Sequence, residues 1–179
     1  GLRKLHLEIA LMGAGMQILH CVFFPQPNFD IPIFGVDVVA VGSGISAAIV
    51  DLSPVGPELQ INIQRELEKI EIPSFSQVRD LPSWGSVFSK HVQFIRPCSV
   101  QEETMFVNLV DDYLKILISV LFSTEPDDVQ SESTITRHSH QNLYCLQQKR
   151  NDKTRNVLAK AFNPQWADNY MERLLFESP

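Results

Sequence analysis

An α+β sandwich is the fold class that the sequence predicts. The first fifty residues read as sheet, the later half reads as helix, and short connections make the early strands antiparallel neighbours. Leu5, Leu7 and Ile9 alternate with Lys4, His6 and Glu8, the period of a two-faced strand. Gly13-Ala14-Gly15 turns the chain into a second strand, Met16–Phe24, which Pro25-Gln26-Pro27 closes. Phe34–Val41 and Ile45–Leu52 follow, joined by Gly42-Ser43-Gly44. Glu58–Ile70 then reads as a helix ended by Pro73, and His91–Ile95 as a further strand before Arg96-Pro97. Ser99 and Glu102 make a capping-box start for a helix running to about Phe122. Thr134–Phe162 is expected to be largely helical, and Asn163-Pro164 to cap a last helix through Trp166, Tyr170 and Leu174.

At 179 residues the chain suits one domain with a real core. Its 44% hydrophobic and 20% charged residues exclude disordered, collagen-like and coiled-coil classes. The longest apolar run, Ile116 to Phe122, is interrupted by Ser119 and too short to span a bilayer, so no membrane partner is expected. Cys21, Cys98 and Cys145 stand singly. They form no C-x-x-C pair, cannot supply the four thiolates of a usual iron–sulfur cluster, and suggest a reducing compartment. No metal cage is visible. The net charge of −6 argues against nonspecific nucleic-acid binding. Charge is nevertheless uneven. Seven acids against Lys115 lie between Glu102 and Asp128, and Lys149, Arg150, Lys153, Arg155 and Lys160 crowd against Asp152 alone. Such a basic stretch is either a solvated helix face or a steering surface for an anionic ligand or acidic partner.

Gly42-Ser43-Gly44-Ile45-Ser46-Ala47 matches the G-x-G-x-x-A pattern of dinucleotide sites. A pyrophosphate site needs those residues to open a helix, and Pro54 leaves only about two turns at 3.6 residues each. A hairpin turn explains the glycines better. Ionisable residues inside apolar strands are the stronger signal. His6 and Glu8 share one face of the first strand, His20 sits in Ile18–Phe24, and Asp37 sits in Ile33–Val39. Burying an unpaired charge is costly, so these residues form either a proton-handling site or a satisfied structural network on a half-solvated sheet. Their spacing names no reaction. Cys21 projects opposite to His20 and reads as a core thiol. His138 and His140, two apart on a helix, do not share a face as metal ligands would.

These residues carry a resemblance. Leu5-His6-Leu7-Glu8, Ile18-Leu19-His20-Cys21-Val22-Phe23-Phe24-Pro25 and Pro32-Ile33-Phe34-Gly35-Val36-Asp37 closely resemble the ferredoxin-dependent bilin reductases. So do Ile45 to Pro54, Leu81-Pro82-Ser83-Trp84-Gly85, Gln148 to Arg155 and Trp166 to Phe176. Members making phycoerythrobilin or phytochromobilin typically carry Asn where this chain has His20, and lack an acid like Glu8. The resemblance implies a central antiparallel sheet flanked by helices on both faces, with biliverdin between the sheet and the C-terminal helices. It implies a four-electron reduction of biliverdin IXα to phycocyanobilin through bilin radicals, with no bound cofactor and electrons from external reduced ferredoxin.

Carried over residue by residue, Asp37 is the central proton donor, His20 hydrogen-bonds the bilin and shares protons with it, and His6 supports His20. Glu8 would protonate the D-ring exovinyl group. Arg79 and Lys153 would pair with the propionates, with Ser46 nearby and Asp152 on the helix side of the bilin. The chain opens Gly1-Leu2-Arg3-Lys4 without an initiator Met. Set beside the family, it is expected to be a single domain over 1–179 that lacks the N-terminal part of the family fold; separately, the resemblance implies a monomer in the cytoplasm or a plastid stroma. Two alternatives stand beside this reading: a two-electron bilin reductase with another product, and a tetrapyrrole-binding protein without catalysis.

Overall fold

The computed structural model describes residues 1–179, the side chain of Ala14 excepted. Five strands form one antiparallel sheet in sequence order: β1 Leu2–Met12, β2 Met16–Pro25, β3 Ile33–Val41, β4 Gly44–Ser53 and β5 Gln93–Ile95. The helices are α1 Ile61–Lys69, α2 Val100–Ser123, α3 Glu132–Gln148, α4 Asp152–Ala161 and α5 Pro164–Tyr170, the last continued by a π-helical turn over Met171–Leu175. The α+β class and the antiparallel sheet between helices are as the sequence predicts.

Alternation along the strands divides the core in two. Phe34, Val36, Ala48, Val50 and Leu52 point to one face, where Ile63 and Leu67 of α1 and Phe106, Leu109, Tyr113 and Leu117 of α2 cover them. Val22, Phe24 and Ile33 point to the other, under Tyr144 of α3, Leu158 of α4, Ala167 of α5, and Met171, Leu175 and Phe176. Those C-terminal elements cover only one end of the second face, and the other end lines a pocket. Gly42, at φ +64°, makes the β3–β4 hairpin, so the glycine pattern there is a turn. β1 is an edge strand whose Leu5, Leu7, Ile9 and Leu11 face away from the pocket and stay 62–77% exposed.

Three predicted elements differ by more than one residue from their expected extents. α1 starts at Ile61 rather than Glu58, and β5 keeps only Gln93–Ile95 of His91–Ile95. The expected continuous Thr134–Phe162 helix is two helices, broken at Lys149–Asn151. Asn151 restarts the chain by accepting a hydrogen bond from Thr154 N at 3.3 Å, which supplies one donor of the new helix with a partner. The capping box at α2 forms with a variation. Ser99 Oγ accepts from Glu102 N, whereas the Glu102 carboxylate reaches back past the cap residue to Cys98 N and to Ser76.

Candidate functional site

Antiparallel register puts the ionisable residues side by side. Glu8 lies opposite His20 across β1–β2, and His20 lies opposite Asp37 across β2–β3. All three belong to the pocket face, and all three line one cavity of about 920 Å³. That volume stands at the upper end of the ~300–1,000 Å³ of small-molecule sites. Met16, Ile18, Val39 and Ile49 make its apolar floor, and Trp84 and Pro82 wall it beside β4.

Seven of the eight residues predicted for the site line this cavity: Glu8, His20, Asp37, Ser46, Arg79, Asp152 and Lys153. His6 stands behind them, its Nε2 3.4 Å from Glu8 Oε2 and its ring edge-on to His20 at 5.5 Å between centroids. Ser46 is the extra residue where the β3–β4 register shifts, and its hydroxyl donates to Val39 O at 2.9 Å. Arg79 is fixed by backbone pairing outside β5, where its N donates to Phe94 O at 2.8 Å. Its guanidinium lies over the Phe94 ring, and Nη1 donates to Ser46 O at 2.7 Å, which leaves other N–H donors for a ligand. Lys153 and Asp152 reach the rim because the α3–α4 break turns the chain there. The same break brings Arg150, a third cation that the sequence places in the basic stretch but not among the site residues.

Burial sets the protonation of the central pair. Desolvation, assisted by the charge of Glu8, raises the Asp37 pKa to about 7. Desolvation, with His6 and Lys4 adding to it, lowers that of His20 to about 4. Near neutral pH the site thus holds a neutral imidazole beside a carboxyl poised between its two forms. Four shielded side-chain atoms among the described residues have no hydrogen-bond partner, and two of them are Asp37 Oδ1 and His20 Nδ1. No hydrogen bond joins those two residues among the described ones, so the expected sharing of protons is not a direct contact here. Phe176 packs edge-on against His20 at 5.9 Å.

Asp51 makes the useful contrast. It lies on the same sheet face, fully buried, and accepts from Ser53 Oγ at 2.6 Å, Ser89 N at 2.9 Å and Ser89 Oγ at 2.5 Å. Desolvation raises its pKa to about 6 against those bonds. Asp51 is a satisfied network that ties β4 to the segment before β5, and Asp37 is not.

Sequence reasoning also missed Tyr170, whose hydroxyl donates to Glu8 Oε2 from the end of α5. The available signal was the spacing of four in Phe162, Trp166 and Tyr170, which stack in that order. Cys21 points away from the pocket face, and burial pushes its thiol up, as a core cysteine requires. Among the described residues no group of three or more His, Cys, Asp or Glu is placed to hold a metal ion, and no helix is long and apolar enough to cross a membrane.

Comparison with known proteins agrees with this geometry. The family model described as ferredoxin-dependent bilin reductase matches residues 1–177. A phycocyanobilin:ferredoxin oxidoreductase of Prochlorococcus marinus (strain MIT 9303) is 63% identical over the whole chain, which covers 68% of that protein. One of Trichodesmium erythraeum (strain IMS101) is 42% identical over 99% of the chain and 72% of the relative. Among solved structures, phytochromobilin synthase from tomato in complex with biliverdin shares the fold at a TM-score of 0.79. That match has 19% identity and covers 98% of this chain and 65% of the tomato chain. The chain therefore belongs to the ferredoxin-dependent bilin reductase family.

Proposed function

We propose that the protein reduces biliverdin IXα to phycocyanobilin, taking four electrons one at a time from reduced ferredoxin and four protons through its own side chains. The observation that carries this reading is the pair of shielded, unpartnered atoms, Asp37 Oδ1 and His20 Nδ1, in a cavity rimmed by Arg79, Arg150 and Lys153. A long conjugated dianion matches that design. Its two propionates meet the cations, and its polar ring centre meets the donors.

Each electron makes the bilin more basic, so a nearby carboxyl that is still protonated near neutral pH serves as the donor. Asp37 fills that role at the pocket centre, with His20 beside it as a neutral hydrogen-bonding partner. Glu8, farther along the sheet, is the donor to the exovinyl carbon, with His6 supporting it and His20. Arg79 and Lys153 bind the propionates, and Ser46 and Asp152 complete the two walls. The protein needs no bound cofactor in this scheme, because the substrate itself carries the unpaired electron. The resident requirements are donors, an apolar slot and a docking face.

The test is anaerobic incubation with biliverdin, reduced ferredoxin and a reducing system, followed by absorbance and chromatography of the product. Phycocyanobilin is the expected product. A bilin reduced by two electrons, or biliverdin bound and unchanged, overturns the reading in favour of the partial reductase or of the binding protein. Glu8→Gln is expected to stop at a bilin whose vinyl group is intact, and unchanged product at an unchanged rate would make Glu8 structural.

A further inference from the structure

Glu8 is held through one of its two oxygens. The Tyr170 hydroxyl donates to Oε2, and His6 Nε2 stands 3.4 Å from the same atom. Among the described residues Oε1 has no partner. A protonated carboxyl accepts well through its carbonyl oxygen and poorly through its hydroxyl oxygen. When Glu8 carries a proton for the reaction, donation to Oε2 therefore selects the arrangement with that proton on Oε1.

Tyr170 is itself held in place. Its ring lies on Trp166 at 4.7 Å and 12°, and Trp166 lies on Phe162 at 3.9 Å and 27°. The stack runs from the end of α4 along α5, so the C-terminal helices reach across the pocket to an acid on the first strand. A chance surface contact has no such support.

We propose that Tyr170 is a positioning residue that keeps the transferable proton of Glu8 on Oε1. The proposal rests on the bilin-reductase reading above. In the step it serves, the Oε1–H bond breaks as a C–H bond forms at the exovinyl group, with electrons supplied by ferredoxin. Glu8 is left as a carboxylate that still accepts from Tyr170 through Oε2, and it regains its proton from solvent. The Tyr170 hydroxyl keeps its own proton throughout, consistent with burial and the Glu8 carboxylate both pushing its pKa up.

The experiment is a double-mutant cycle of Tyr170→Phe and Glu8→Gln under the anaerobic assay, with biliverdin affinity measured separately by absorbance titration. Phe keeps the ring and the stack. Y170F is expected to slow vinyl reduction about 10-fold, the worth of roughly one hydrogen bond, and to leave biliverdin affinity within twofold. In the E8Q background, where the vinyl group stays intact, the same change is expected to leave the rate of the remaining bilin reduction unaltered. Trp166→Leu, which loosens the stack and spares the hydroxyl, is expected to slow the same step by a smaller factor. Y170F at the wild-type rate and product ratio overturns the proposal, as does an equal loss in both backgrounds or a tenfold loss of bilin affinity. If E8Q itself behaves as wild type, the assignment of Glu8 falls and this proposal with it. A defective E8Q beside a normal Y170F sinks the Tyr170 role alone.

Discussion

Two buried aspartates on one sheet face differ in whether the fold supplies their hydrogen-bond partners. Asp37 sits in an apolar strand and could be singled out from the sequence for that reason. Asp51 sits in an equally apolar strand, but its satisfaction depends on Ser89, thirty-eight positions away, which no local pattern shows. The difference has a consequence for stability. The Asp37 pKa rises from an ordinary 3.8 to about 7, so the folded state binds more protons than the unfolded one between those values. Its contribution to stability therefore falls as pH rises through that window and is constant above it. Asp51 acts with the same sign up to about 6. His20, lowered to about 4 from 6.5, acts oppositely: the unfolded state binds the extra proton there, and stability rises with pH. Asp37→Asn removes the first of these effects. The variant is expected to bind biliverdin but to turn over about 100-fold more slowly. In chemical denaturation it should exceed the wild type at pH 8 by an amount on the order of a few kcal/mol, and the gap should close near pH 4. An equal gap at both pH values would show that Asp37 is ionised at neutral pH in the folded protein.

At the scale of elements, the strands were legible because alternation and glycine turns are local, and the helix ends less so. Alternation in β1 identified a strand and put His6 and Glu8 on one face, but it could not say that the opposite face, Leu5 to Leu11, is left uncovered by α1 and α2. The break between α3 and α4 is the instructive miss. Its signals were present, since Asn151 is a strong cap residue and Asp152 follows it in the first turn, yet the surrounding helix formers hid them. The break is also what delivers Arg150, Asp152 and Lys153 to the pocket rim. Asn151→Ala is expected to cost about 1 kcal/mol of stability and to weaken biliverdin binding, because the turn that aims Lys153 frays with the cap. Asn151→Ser, which retains an accepting oxygen for Thr154 N, should restore both. If the Ala and Ser variants weaken binding equally, the amide of Asn151 contacts the ligand and the cap is incidental.

For the molecule as a whole, electron delivery is an encounter between two acidic proteins. This chain carries −6, and plant-type ferredoxins are strongly acidic, so the overall charges repel and a local positive face is needed. The basic stretch Lys149 to Lys160 is the densest in the sequence, and the structure divides its duties. Lys149, at the end of α3, is tied to Glu172 of the π-helical turn at 2.5 Å, and Arg155 of α4 pairs with Asp168 of α5 and donates to Lys149 O, so these two tie the C-terminal elements together. Lys153 stands at the pocket rim. Lys160 lies seven residues on, about two helical turns or roughly 10 Å along the same stripe of α4, exposed and outside the pocket lining. On the proposed function, a partner docked over that stripe would bring its redox centre near the propionate edge of the bilin. Lys160→Glu is therefore expected to raise the ferredoxin concentration for half-maximal rate about 3-fold, with biliverdin affinity unchanged. Lys149→Glu is the wrong probe, since it breaks the Glu172 pair and disturbs the helices as well as the surface. The wild-type rate at subsaturating ferredoxin should fall as salt rises toward 0.15 M, where the Debye length is about 8 Å, and K160E should show a shallower fall. A salt-insensitive rate, or a K160E variant with unaltered ferredoxin dependence, would place the docking face away from α4.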